Sequence, residues 1–527
     1  MPKLKLPVLP ESLPKVISLL NLSRNEMWFL VAYITFSILG MTLTPLFDED
    51  EGFFAEAARN MLATGDWISI KVNGEYRYDK PALFFWFEVL FLKIIGNREI
   101  AVRLPSFIAF IANVLVMRQW ARQLFSNQAG YKILIVLSTF LQFQILARAA
   151  VSDNFLNLFV SLALFSFWKR YQKHTLSMLP AFVFAGLGFF IKGPIAFVLI
   201  FGIIFSFLIL KKEWRLIRSY LNPFYWLVAI LIPAPWFYFA FQKSGEFLFT
   251  DFFLKHNFGR FAHTMESHGG SLFYYIPVLI LFIIPFTHTL IFLAIKTLKY
   301  FVSNKSFNPL KTNDLEPHKL LFLLWFMIPF ILFSISKTQL PHYISISYFP
   351  LALIFSNQKQ LFDKFFFFQI TGLILLLIFV PVVYESFKIE DRFVNEMLIQ
   401  TKDVFGSRYL SVMISIISGL AFLFFYKKSS PFIPALVFGL GLSWFIFHFS
   451  ILQQGFVKAL GQKLYKSNIN VKMKDHYNPS LSFYAQKGFP IAGPAQTGDL
   501  IFSKSSQSDT SEVIGAFGGY RVVRVRE

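Results

Sequence analysis

Residues 181–212 read AFVFAGLGFFIKGPIAFVLIFGIIFSFLILKK, a long apolar run broken by a single cation, Lys192, beside Gly193 and Pro194. A lysine at the centre of a lipid-spanning helix is costly, and Gly-Pro marks a turn. The stretch therefore predicts two spans, near 176–191 and 194–210, that meet at Lys192 and present it at a membrane face. Similar apolar segments fall near 28–46, 103–118, 131–147, 155–168, 222–241, 272–294, 319–335, 342–356, 365–384, 409–426 and 431–450. The sum is about thirteen predicted spans.

Composition agrees. Of 527 residues, 55% are hydrophobic and 15% charged, with 70 Phe, and the mean hydropathy is +0.54. A soluble chain of this length needs more charge to cover its surface. The formal charge of +20 does not point to nucleic acid, because the cations sit in short loops and no basic stripe is interleaved with exposed aromatics. With no Cys, disulfides, thiolate chemistry and Cys-ligated metals are excluded.

The loops set an orientation. Lys3, Lys5, Lys15 and Arg24 precede the first span, which reads as a retained anchor. Arg118 and Arg122, then Lys169, Arg170 and Lys173, then Lys211, Lys212, Arg215 and Arg218 occupy alternate loops. Lys296, Lys299, Lys305, Lys311, Lys359, Lys427 and Lys428 continue the series. By the positive-inside rule this side, with the N-terminus, is cytoplasmic, and an odd number of spans puts the C-terminus outside. The predicted organisation is a transmembrane unit over 1–450, with a long first outer loop at 47–102, and a small extracytoplasmic α/β domain at 451–527.

The first outer loop carries the densest chemistry. Asp48-Glu49-Asp50-Glu51 precedes a stretch in which Phe53, Phe54, Ala57, Ala58, Met61 and Leu62 share one helical face, with Glu56, Arg59 and Asn60 opposite. Asp48 and Glu51 have capping-box-like spacing, and Gly65 can end the helix. This predicts a helix lying in the membrane interface. A second helix is predicted to open at Pro81, after Tyr78-Asp79-Lys80. Its free N–H groups beside the Lys80 ammonium suit a phosphate. A solvated acidic flank and an ordinary turn would account for either motif alone. Their conjunction beside two interfacial helices favours a functional site.

Other charges interrupt apolar runs on the same predicted side: Arg148 and Asp153, Lys192, Lys337, and the 242–271 loop with Lys255, His256, Arg260, His263 and His268. Each alone would do as a headgroup anchor. Gathered with Asp50 and Lys80, the cations suit a phosphate-headed lipid. His256, His342, Glu51 and Asp153 offer metal-ligand types without tight spacing, so a divalent metal stays open and no metal site is predicted.

Phe47 to Met61, Thr64-Gly65-Asp66-Trp67, Asn73-Gly74, Asp79-Lys80-Pro81 and Ala101-Val102-Arg103-Leu104-Pro105-Ser106 resemble, in order and spacing, the first outer loop and second span of the bacterial aminoarabinose lipid A transferases. They are similar also to the wider protein O-mannosyltransferase superfamily of GT-C fold. The likeness continues at Lys192-Gly193-Pro194, His256 to Phe261, Ser336-Lys337, Leu340 to Tyr343 and Asn478 to Tyr484. The resemblance implies a GT-C-like, all-α polytopic fold with the small C-terminal α/β domain. It implies Asp50 as catalytic carboxylate with Glu51 beside it, and Asp153 as a second acidic position. It also implies Lys80, Arg260 and Lys337 on the carrier phosphate and Tyr343 lining the cavity. The sequence departs from the family in having Asp79 and Ala82 where Glu-Lys-Pro-Pro is common, and Gln339 at an often basic place.

The expected function is an inverting glycosyltransferase of the bacterial inner membrane. It would move a monosaccharide from a polyprenyl-phosphate carrier, such as undecaprenyl phosphate, to an extracytoplasmic glycolipid of lipid A type, another glycan or a protein hydroxyl. Its partners are the lipid-linked sugar donor, the acceptor and membrane lipids, with no nucleic acid. No Gly-rich nucleotide loop stands in a strand–helix context. The alternative is a polytopic transporter or flippase of lipid-linked sugars without transfer chemistry.

Overall fold

The computed structural model describes residues 21–527 apart from 49, 174–175, 265–268, 304–315, 385–391, 426–430, 468, 470, 475–476, 490–498, 505–511, 518 and 526–527. Lys3, Lys5, Lys15, Glu49, His268, Lys305, Lys311, Lys427 and Lys428 lie outside the described residues. The chain is mostly helical. In chain order the elements that position the site are α1 (Arg24–Leu43), α2 (Asp50–Thr64), α3 (Leu83–Ile95), α4 (Glu99–Leu124), α5 (Asp153–Gln172), α6 (Leu179–Lys192), α7 (Ile195–Leu210), α8 (Pro317–Ile335), α9 (Phe432–Tyr465) and α10 (Pro479–Ala485).

Among the described residues, α1, α4, α8 and α9 are each long and apolar enough to cross a membrane. Pro223–Leu231 and Ala234–Ser244, bent by 47° at Ile232-Pro233, together make a fifth candidate. Leu39, Ile108, Phe224, Leu323 and Ile331 stay about half exposed on these helices, as side chains facing lipid do. The stretch quoted at the outset folds as expected at its centre: α6 ends on Lys192, Gly193 takes φ +81°, and α7 starts at Ile195. Both helices are shorter than the roughly 20 residues that cross a full hydrocarbon core.

Several expectations need correction. The 242–271 segment is not an open loop: Phe249–Gly259 winds as a π-helix, continued by a short turn at Arg260–Ala262. Such wide turns re-aim side chains and gather at functional sites. Arg118 is not a loop cation. It is buried within α4, with its Nε 2.8 Å from Glu26 of α1. The second outer helix opens at Leu83, with Ala82 at its cap, two residues later than Pro81 suggested. And α9 runs through residue 450, where the sequence placed a boundary.

Helix α2 ends where Gly65 predicts, Gly65 at φ +72° donating its N–H to the Met61 carbonyl. It does not rest on the membrane by one face, however. Phe53, Phe54, Ala57, Ala58 and Met61 are buried as expected, but Glu56 is buried too, held by Arg59 at 2.6 Å. The reason is a second layer: α10 packs on the opposite side of α2. Ser480 donates from its N–H (3.2 Å) and from its hydroxyl to Asp48 Oδ1. Gly52 permits this contact. A Cβ there would stand 2.2 Å from Asp48 Oδ1 and 2.8 Å from the Ser480 nitrogen. Gly52→Ala should therefore destabilise the fold by about 1–3 kcal/mol, read as a lowered thermal midpoint of the detergent-solubilised protein. An unchanged midpoint would mean that α10 does not clamp α2.

Between α2 and α3, β1 (Lys71–Val72) and β2 (Glu75–Tyr76) form a hairpin whose Asn73-Gly74 turn has φ +54° and +85°, the left-handed pair such a turn demands. The C-terminal residues add a four-stranded sheet, β3 (Lys472–Met473), β4 (Leu500–Lys504), β5 (Glu512–Phe517) and β6 (Tyr520–Arg524), in the order β3-β4-β6-β5. β3 runs parallel to β4, and the other pairs are antiparallel. Met473, Phe502 and Val522 pack with Val457 and Leu464 of α9 and Leu481 of α10.

Candidate active site

Three chain segments bring acids to one place. Asp50 is the first residue of α2 and Asp153 the first of α5, so each carboxylate stands at a helix N-terminus, where the dipole favours it. Asp79 precedes Lys80 in the turn before α3. That turn is anchored from outside: the Tyr78 N–H donates to Asp251 Oδ2 at 2.7 Å, fixing it against the π-helix. Burial acts to raise the Asp251 carboxyl, but His256 and the Tyr78 N–H outweigh it and hold the acid at about 2.

Asp50, Asp79 and Asp153 line one small cavity of about 60 Å³, together with Arg77, Lys80, Lys192, Arg260, His342 and Tyr343. Four cations thus face three carboxylates. Lys192 Nζ lies 2.6 Å from Asp153 Oδ1, and His342 Nε2 is 4.0 Å from the same oxygen. Lys192 also stands over the Tyr343 ring at 5.7 Å, and Arg260 Nη1 donates to the Tyr343 hydroxyl at 3.2 Å. Lys80 Nζ donates to the Asp79 carbonyl at 3.1 Å, with Asp79 Oδ2 at 3.5 Å.

Burial pulls the Lys80 ammonium below the usual lysine range; Asp79 opposes the shift, and Arg260 and Lys192 add to it. Burial works to raise the Asp79 carboxyl, yet Lys80, Arg77, His256 and Arg260 hold it below the ordinary carboxylate range. The two groups face each other as an ion pair inside a field of further cations.

A second cavity, of about 320 Å³, shares Lys80, Asp153, Lys192, Arg260 and Tyr343 with the first. Much of its remaining wall is apolar, from Leu156 of α5, Ile195 and Val198 of α7, Leu332 and Phe333 of α8, and Ile346, with Asn157, His256, Asn257, Ser336 and Ser345 among them. Val198 is 49% exposed at its edge. One end of this groove is ionic and the other is a hydrocarbon slot, a shape for an amphiphile with an anionic head.

Of the residues singled out from sequence, Asp50, Asp153, Lys80, Arg260 and Tyr343 come together. Glu51 and Lys337 do not. Glu51 is 3% exposed and faces away into the protein, paired with Arg103 at 2.6 Å and accepting the N–H groups of Phe47 and Ala150. Adjacent residues on a helix point about 100° apart, so one acid of the pair lines the cavity and the other the interior. Lys337 is exposed, and its backbone N–H donates to the Phe261 carbonyl. His256 lines the groove but faces Asp251 at 3.4 Å. No group of three metal-ligand side chains gathers among the described residues. Lys192, read from the sequence as an outer-face cation, joins the cavity residues, and Arg77 gains weight that the sequence did not give it. The Arg77 guanidinium lies 4.2 Å over the Phe53 ring at the cavity wall; the signal was its place two residues before Asp79.

Known proteins resemble the chain in sequence and in fold. Residues 79–239 match the family described as dolichyl-phosphate-mannose-protein mannosyltransferase. Over 342 residues the chain is 28% identical to the undecaprenyl phosphate-alpha-4-amino-4-deoxy-L-arabinose arabinosyl transferase of Edwardsiella ictaluri, covering 63% of this chain and 59% of that one. The match therefore spans less than two thirds of that relative. An uncharacterised Aquifex aeolicus protein is likewise 28% identical over 364 residues, 68% of this chain and 79% of its own. In three dimensions the crystal structure of ArnT from Cupriavidus metallidurans bound to undecaprenyl phosphate superposes with a TM-score of 0.73 at 18% identity, over 94% of this chain and 97% of that one.

Proposed function

We propose that this chain, a member of the GT-C superfamily of membrane glycosyltransferases, transfers a monosaccharide from a polyprenyl-phosphate carrier to an acceptor outside the cytoplasm. The observation that carries the reading is the shared wall of the two cavities, where Lys80, Lys192 and Arg260 close the polar end of an apolar groove and Asp50 stands beyond them. The carrier chain lies between α7 and α8 and its phosphate reaches the three cations. The names of the Edwardsiella and Cupriavidus proteins support undecaprenyl phosphate as the carrier. The acceptor is a lipid A-type glycolipid, another glycan or a protein hydroxyl.

Asp50 orients the acceptor nucleophile and takes its proton. The acceptor oxygen attacks the anomeric carbon, and the bond from that carbon to the phosphate oxygen breaks with inversion. The electron pair leaves on the polyprenyl phosphate, where Lys80, Lys192 and Arg260 stabilise it. Asp153 holds Lys192 in place, Tyr343 holds Arg260, and Glu51 is structural. In the membrane, about thirteen spans make a transmembrane unit with a cytoplasmic N-terminus, and the residues beyond α9 form a small α/β domain on the outer side. The basic loops and the C-terminal sheet support that placement.

Lys80 supplies a test with a sign. A phosphate is held by the ammonium form, and burial lowers the pH at which Lys80 loses its proton. Carrier-phosphate affinity should therefore fall as pH rises toward alkaline values, starting below the ordinary lysine range. Lys80→Arg keeps its charge throughout and should flatten the profile, and Lys80→Gln should weaken binding at neutral pH by roughly tenfold or more. Titration with polyprenyl phosphate at several pH values measures all three. Equal affinity in Lys80→Gln and the parent would remove Lys80 from the phosphate site.

A further inference from the structure

A second basic cavity lies away from the candidate active site. It occupies about 590 Å³ between the start of α4, the end of α9 and α10, and is lined by Arg98, Glu99, Lys458, Lys463, Lys466 and Tyr484 among others. Glu99 neutralises one cation, its Oε1 lying 2.5 Å from Lys458 Nζ. Arg98, Lys463 and Lys466 have no carboxylate partner among the described residues. Three like charges from two distant parts of the chain thus face one concavity.

Lys463 and Lys466 can be explained locally, since cations suit the C-terminal end of a helix such as α9. Arg98 cannot. It sits at the N-cap of the 26-residue α4 and makes no capping hydrogen bond with its side chain. The positive pole of the dipole repels it there. An anion in the cavity would relieve both the repulsion between the cations and the misplaced charge. The volume exceeds what a lone phosphate fills, and Tyr465, 56% exposed, stands at the rim. α4 is an apolar candidate span that starts at this level, and α9 leaves its apolar part before Lys458. The cavity is therefore at headgroup height, at the same end of α4 as Arg103 and Glu51.

We propose that this cavity is a second anion site that takes the phosphate of a headgroup, separate from the site formed by Lys80, Lys192 and Arg260. The assignment does not rest on the transferase reading. The site is also wired to the active-site loop. The Tyr484 hydroxyl accepts the Leu46 N–H at 2.8 Å and lies 3.1 Å from Glu99 Oε1, and Leu46 is four residues before Asp50. α10, which carries Tyr484, also binds Asp48 through Ser480. Filling the cavity would hold Tyr484, and with it the segment that presents Asp50.

Native mass spectrometry of the full chain in detergent tests this, with dioctanoyl phosphatidic acid, dioctanoyl phosphatidylcholine and inorganic phosphate as probes. Phosphatidic acid should bind the parent more tightly than phosphatidylcholine. The variant Arg98→Gln/Lys463→Gln/Lys466→Gln should bind it on the order of 100-fold more weakly, at about 1 kcal/mol for each basic residue near the surface. Lys80→Gln should keep this binding, which separates the two sites. Displacement by millimolar phosphate would identify a free anion as the natural source, and resistance to displacement a lipid. Both outcomes uphold the site. If the triple variant does not fold, the exposed single change Lys463→Gln should still cost about fivefold. Undiminished binding in the folded variants, or equal binding of phosphatidylcholine, overturns the proposal.

Discussion

Asp50→Asn is expected to lower sugar transfer by about 10²–10⁴-fold, the usual contribution of a positioned general base, without changing the yield or thermal midpoint of the purified protein. The contrast between these readouts follows from where the side chain lies. Asp50 is exposed into the cavity at the first residue of α2, and no ion pair or hydrogen bond of the fold uses its carboxylate among the described contacts. The amide keeps the volume and loses the base. A product assay on proteoliposomes, beside a melting curve, reads both. A variant that transfers sugar at the parental rate would remove Asp50 from the chemistry.

Arg103→Leu should do the reverse, destabilising the fold by about 3–5 kcal/mol because it strands a buried carboxylate. Arg103 is 1% exposed. It grips Glu51 with Nε at 2.8 Å and Nη2 at 2.6 Å, and also donates to the carbonyls of Met41, Thr44 and Pro45. This one guanidinium joins the end of α1, the start of α2 and the body of α4, and so sets the depth at which Asp50 is held. The expected observation is loss of monodisperse protein on size-exclusion chromatography. Glu51→Gln, which keeps acceptor capacity and removes a buried charge, should be milder. A monodisperse Arg103→Leu protein with an unchanged midpoint would contradict the assignment.

The acidic run 48–51 shows what sequence can and cannot resolve. Composition and the Lys192-Gly193-Pro194 break identify a membrane protein with charged turns, because a bilayer penalises charge wherever it falls. Which acid of a neighbouring pair faces the cavity depends on the start of α2 and on Arg103, a residue about fifty positions away. Residue type alone does not separate the two; the resemblance puts Asp50 first, and the placement of α2 and α4 turns Glu51 into the interior. Lys337 lies outside the cavity for the same reason: a cation beside other site residues in sequence need not turn its side chain toward them. Ser480 and Tyr484 lie in the C-terminal segment, and their contacts with Asp48 and Leu46 span more than four hundred residues. No local pattern announces such a clamp. The 242–271 segment looked like a loop because its polar residues hide the helical period, whereas a π-helix does not follow that period at all.

Cations from three turns are expected to meet one lipid-borne phosphate beside Asp50. Electron cryomicroscopy of the full chain in nanodiscs containing polyprenyl phosphate tests it most directly. The phosphate should appear within hydrogen-bonding reach of Lys80 or Arg260, with the isoprenoid chain between α7 and α8 and the Asp50 carboxylate facing the space above it. Density for the phosphate at the opposite end of the bundle, or an isoprenoid chain that leaves the α7–α8 groove empty, would contradict the account.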